Sequence, residues 1–155
     1  MSRKLLIILA LLTVLVLPAA AAASEPFLGT FELDLAASAI TRGAPPRSET
    51  IVNSAEPGGF RSLLAVVNEK STSVEIQHWN FDGAFHQTDG SDPRELSFKR
   101  PDVATIEQDT RRGENVTVHR HITISRDGKT LTYVADGASG NGQKYTGDTR
   151  VYRRQ

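Results

Sequence analysis

The sequence predicts an all-β fold: an antiparallel up-and-down β-barrel of about eight to nine strands. Three observations carry this expectation. Apolar and polar residues alternate with period two almost throughout residues 29–152. Turn signals rich in Gly, Asp and Pro separate the alternating runs at short, regular intervals, which favours a meander over a Greek key. The 155 residues contain no cysteine. Strands without disulfides must then be held by packing, and a closed barrel removes the exposed edges that would otherwise pair between molecules.

The elements follow in order. Phe31, Leu33 and Leu35 alternate with Thr30, Glu32 and Asp34 as a first strand. Residues 35–40 give the one helical hint, a turn or two at most. After the loop 41–46, residues 48–54 carry Ile51 and Val52, and Glu56-Pro57-Gly58-Gly59 turns the chain. Residues 60–68 are apolar on both parities, which reads as a strand covered on both faces. Residues 74–81 alternate again and meet Asp82-Gly83, a hairpin signal that would pair His86 with Trp79. A loop at 89–93 precedes strands at 95–99 and 103–110. Residues 111–114 turn the chain into an alternating strand with Val116, Val118, Ile122 and Ile124. Asp127-Gly128 is a further tight turn, 130–136 a strand, 137–142 a glycine-rich loop, and 144–153 the last strand.

The first 23 residues predict the compartment. Arg3 and Lys4 precede an apolar run at 5–17, Pro18 breaks it, and Ala19 to Ala23 provide small residues ahead of Ser24. This is the pattern of a cleaved secretory signal. The run is short for a bilayer span, and no second one follows. The expected organisation is therefore a signal peptide at 1–23 and one barrel domain at 24–155, exported as a soluble protein to the periplasm or beyond, with no stable membrane anchor. About 132 mature residues suffice for a single core. Cleavage leaves 16 basic against 18 acidic residues. That balance argues against a nucleic-acid binder or a polybasic membrane-surface protein. Without cysteine there is no thiol nucleophile, thiolate metal site or redox pair.

The opening Phe27-Leu28-Gly29-Thr30-Phe31-Glu32-Leu33-Asp34-Leu35-Ala36, with Ser38, resembles a family of exported bacterial lipocalin-like proteins of unknown function. That family typically reads G-T-W-K-L-N-x-A-x-S at this point, with Trp where this chain has Phe31. The resemblance continues through Phe81-Asp82-Gly83, Lys99-Arg100-Pro101-Asp102 with Thr105-Ile106-Glu107, and Ser125-Arg126-Asp127-Gly128-Lys129-Thr130-Leu131-Thr132, ending near Val151-Tyr152. It implies a lipocalin-like barrel of the calycin type, and more distantly a barrel like that of fatty-acid-binding proteins.

Arg150-Val151-Tyr152 is the sharpest candidate site. A similar Arg-x-Tyr on the last strand of fatty-acid-binding proteins holds a ligand carboxylate, and a guanidinium fork with a phenol on one face suits an anion. Arg120, between Val118 and Ile122, can add a second cation. The competing reading has Arg150 packing over Phe31 to seal the barrel end, with Arg120 at the mouth. Tyr145, Thr149 and Val151 offer an alternative inner face for the same strand. Trp79 and Phe81 are either an aromatic wall for a ligand or part of the core. His119 and His121 share a strand face; surrounded by Thr117, Thr123 and Ser125, that face reads as solvent, and no metal site is expected. Glu32, Asp34, Glu75, Glu107 and Asp109 read as outward positions, and no carboxylate pair, nucleophile elbow or phosphate loop stands out. Asn115-Val116-Thr117 is a sequon relevant only to a eukaryotic pathway.

The expected function is a non-enzymatic binding protein for a small, largely apolar, fatty-acid-like or otherwise acidic molecule inside the barrel. No cofactor and no nucleic-acid partner are expected. The alternatives are a cyclase or isomerase using the barrel pocket, and an envelope interaction module with a filled barrel.

Overall fold

Alternation becomes strand along most of the described residues. The computed structural model describes residues 25–90, 93–138 and 142–155; the expected signal segment lies outside the described residues. Eleven strands form one antiparallel sheet. They are β1 (Gly29–Leu33), β2 (Ser48–Glu56), β3 (Gly59–Val67), β4 (Thr72–Trp79), β5 (His86–Gln87), β6 (Asp89–Gly90), β7 (Glu95–Asp102), β8 (Thr105–Arg112), β9 (Asn115–Ile124), β10 (Thr130–Ala138) and β11 (Lys144–Arg154). A single 3-10 turn, Leu35–Ala37, capped by the Asp34 carboxylate, is what becomes of the helical hint.

The sheet runs β7 to β11 in chain order and continues through β1, β2, β3 and β4, so that it curls into a nearly closed barrel. The count of eleven corrects the expected eight to nine, and the seam explains it. β4 and β7 do not pair. The stretch between them pairs first with β7, His86 opposite Leu96, and then with β4, Ile76 opposite Asp89. One connecting segment thus contributes two very short strands. His86 does not face Trp79, as a tight hairpin would require. Asp82 accepts bonds from the Ala84 amide at 2.8 Å and from His86 Nε2 at 2.8 Å, and the Gly83 amide donates to the Phe98 carbonyl, which carries the chain across to β7.

The interior is divided lengthwise. One end is packed solid by Phe27, Phe31, Phe60, Trp79, Phe98, Ile106, Ile122 and Leu131. Trp79 stacks on Phe98 with ring centroids 5.0 Å apart. Each such side chain is worth roughly 1.5–3 kcal/mol when fully buried. Gly59 is required here, because a Cβ at that position would lie 1.8 Å from the Trp79 carbonyl oxygen. Phe81 holds a φ of 52°, unusual for a bulky residue, and packs edge-on against Phe60.

Two arginines close this end. Arg154 lies 4.5 Å from the Phe31 ring centroid and donates to the carbonyls of Pro26, Leu28 and Gly128. It takes the sealing role that the sequence offered for Arg150. Arg100 sits over Phe27, Phe60 and Phe81 and grips both Glu25 oxygens, at 2.9 and 2.7 Å.

β3 is not covered on both faces. Phe60, Ser62, Leu64 and Val66 point inward, whereas Leu63, Ala65 and Val67 stay partly accessible beside exposed Val52 and Val74. Among the described residues no helix is long and apolar enough to cross a membrane.

Candidate functional site

At the other end of the barrel the inward-facing residues become polar and leave a cavity of about 310 Å³. Ile51, Leu64, Val66 and Ala135 give it apolar walls, and charged side chains from the loops and strands line the rest.

Arg150, Tyr152 and Arg120 all line this cavity. The open question of strand parity is settled by a bulge. Ala135 pairs with Asp148 and Gly137 with Tyr145, so two residues of β11 oppose one of β10. Gly147, with φ of 66°, supplies the turn, and its amide donates to the Asp136 carboxylate at 2.7 Å. Tyr145 therefore faces the same cavity as Asp148, Arg150 and Tyr152 despite the odd spacing.

The Arg150–Tyr152 pair already holds a carboxylate, and it belongs to the chain. Glu49 of β2, 4% exposed, accepts from Arg150 Nη1 on one oxygen and from the Tyr152 hydroxyl at 2.6 Å on the other. Asp148 lies 3.8 Å from Arg150 Nε and accepts from the Thr41 and Arg42 amides at 2.7 and 3.1 Å, pinning the 41–46 loop beside the cavity. Burial and the neighbouring Glu49 charge push the Tyr152 hydroxyl well above the ordinary tyrosine value.

Arg94, just ahead of β7, pairs with Glu75 of β4 across the seam. Glu75 therefore points inward, which corrects its reading as an outward position. Its other oxygen accepts from Gln77 Nε2 at 2.6 Å, and the Gln77 carbonyl accepts from the Trp79 indole at 3.0 Å. Trp79 and Phe81 sit in the packed end and are not part of the cavity wall. Trp79 touches the cavity only through Gln77.

Arg120 is different. Among the described residues its guanidinium has no carboxylate partner, and its one hydrogen bond goes to Thr110 Oγ1 at 3.1 Å. That hydroxyl also accepts from Gln108 at 3.2 Å. Burial, reinforced by the Arg94 charge, draws Arg120 below the usual guanidinium value. Tyr133, one position diagonal to it across β9 and β10, directs its ring against Tyr152 at 5.3 Å. The Tyr133 hydroxyl has no hydrogen-bond partner among the described residues, and burial raises it far above the ordinary value. It is a donor at neutral pH, not a base.

The histidines lie elsewhere. On the outer face of β8 and β9, His119 Nδ1 meets Asp109 at 2.7 Å and His121 Nδ1 meets Glu107 at 2.6 Å. Among the described residues no three His, Asp or Glu side chains are grouped to hold a metal ion, and no histidine lines the cavity.

Glu49, Asp148, Arg94 and Tyr133 are the site residues that sequence reasoning missed. Glu49 shares the parity of Ile51 and Asn53, so two residues' spacing from a core isoleucine was the signal for it. The chain matches no family model, no curated protein and no solved structure.

Proposed function

We propose that this chain is an exported, lipocalin-like, non-enzymatic binding protein whose barrel holds a small ligand with an apolar body and an acidic group. The observation that carries the reading is the cavity itself, about 310 Å³ and lined in part by a cation, Arg120, that has no carboxylate partner among the described residues. This volume lies at the low end of the roughly 300–1,000 Å³ usual for small-molecule sites, so the ligand is compact. A barrel filled solidly, as an interaction module would have, is disfavoured by the same space. The pocket-enzyme alternative is disfavoured by the absence of a histidine from the cavity lining and by tyrosines held in their protonated form.

Sodium octanoate, 1-octanol and sodium benzoate titrated into the mature protein test this, with calorimetry and the emission of Trp79, the single tryptophan, as readouts. Binding of octanoate is expected, and Ala135→Leu, which fills the cavity beside Arg120, is expected to abolish it without lowering the melting temperature. Failure of all three probes to bind, or indifference of octanoate to the filled cavity, would overturn the reading.

A further inference from the structure

Building on that binding reading, we infer that the acidic group of the ligand is a single carboxylate seated on Arg120 and the Tyr133 hydroxyl, and that Glu49 makes the site selective for monoanions over dianions. The inference comes from how the charges are already spent. Arg94 is committed to Glu75, and Arg150 to Glu49 with Asp148 behind it. Arg42 stands exposed, over the Tyr145 ring at 5.3 Å. Among the described residues Arg120 is the one buried guanidinium lining the cavity that has no carboxylate partner, and the Tyr133 hydroxyl, diagonal to it across β9 and β10, has no hydrogen-bond partner.

The surroundings fit an incoming anion. The cross-strand neighbours of Arg120 are Gln108 and Ala135. Ala135 is the small residue that leaves room over the guanidinium. A carboxylate placed there accepts from a charged fork and a neutral phenol, the same donor pair that Glu49 receives from Arg150 and Tyr152. The barrel thus contains two seats of matching chemistry, one filled from within. A second negative charge on the ligand would find the other seat taken and Asp148 and Glu49 facing it, which opposes dianions.

Octanoate and its dianionic counterpart suberate, with 1-octanol as the uncharged control, test this by calorimetry on the mature protein. The wild type is expected to bind octanoate at least tenfold more tightly than suberate. Arg120→Met is expected to weaken octanoate at least tenfold while sparing 1-octanol, and Tyr133→Phe to weaken it several-fold. Glu49→Gln removes the negative charge from the second seat and leaves Arg150 without its Glu49 counter-ion, and is expected to raise suberate affinity relative to octanoate at least tenfold. Octanoate binding that survives Arg120→Met undiminished refutes the seat but leaves the binding reading standing. No binding of octanoate or 1-octanol to the wild type refutes that reading itself. Suberate bound as tightly as octanoate by the wild type, or unimproved in a folded Glu49→Gln protein, refutes the role given to Glu49; melting curves establish folding, and the Arg120 arm does not depend on that variant.

Discussion

Replacing Arg150 by Met should destabilise the protein sharply, because it strands Glu49. The Glu49 side chain is 4% exposed and Arg150 27% exposed, so this is a largely buried pair and not a surface one. Removing one partner of a buried pair costs about 3–5 kcal/mol, since the remaining charge keeps its desolvation penalty. Tyr152 still donates one bond to Glu49 at 2.6 Å, and Arg150 is partly wetted by the cavity. Both reduce the loss, to about 2–4 kcal/mol. For a domain of this size that lowers the melting temperature by roughly 10 °C. Urea unfolding at neutral pH and calorimetric melts measure it. The double variant Arg150→Met with Glu49→Leu removes both charges and should recover most of the stability, to within about 1 kcal/mol of wild type. An Arg150→Met protein within about 0.5 kcal/mol of wild type would refute the argument that the loss of Arg150 leaves an uncompensated carboxylate in the barrel.

Two further outcomes follow from the outer face and the sealed end. The hydrogen bond to Asp109 raises the His119 imidazole above its ordinary value, so the interaction stabilises the fold below the unfolded-state value near 6.5 and is lost as pH rises through the higher folded-state value. His119 is half exposed, so the effect on stability is a few tenths of a kcal/mol at most. NMR titration should show the His119 shift reduced in Asp109→Asn, with the smaller share from Glu107 at 3.0 Å remaining, and an unchanged titration would count against the pairing. Arg154→Met loses three carbonyl partners and the Phe31 contact, for about 2–4 kcal/mol in urea unfolding, and Arg154→Lys should not restore it because an ammonium lacks the planar fork. A lysine variant as stable as wild type would show the fork to be dispensable.

Period-two alternation made the nine longer strands and their order legible, because burial on one side imposes a pattern that single residues reveal. The seam escaped notice because strands of two residues have no period, and the long 80–85 turn is fixed both by Asp82 bonds to nearby Ala84 and His86 and by the bond from the Gly83 amide to distant Phe98. Arg120 was legible as a cavity residue from its parity with Val118 and Ile122, whereas Arg150 and Tyr152 were singled out by the Arg-x-Tyr resemblance, the parity of the last strand being open until the bulge is seen. Their division of labour was not legible. It depends on Glu49, a residue from a strand more than 100 positions away, and pairing between distant strands leaves no mark in local spacing. The same holds for Glu75, whose partner Arg94 comes from a loop. Charged residues read as outward by default, and here a polar cavity inside the barrel reverses the default.

The seam gives the wall a weakest line. β2 and β3 share nine residue pairs, whereas β5 meets β7 and β6 meets β4 through two each. Elastic strain in a ring concentrates where the fewest bonds resist it, so outward breathing of the barrel is borne by this segment first. Arg94 and Glu75 straddle that line and help surround the cavity's charge. Widening the ring and rearranging its internal field are consequently one motion, and the girth of the barrel is tied to the electrostatics of what it encloses.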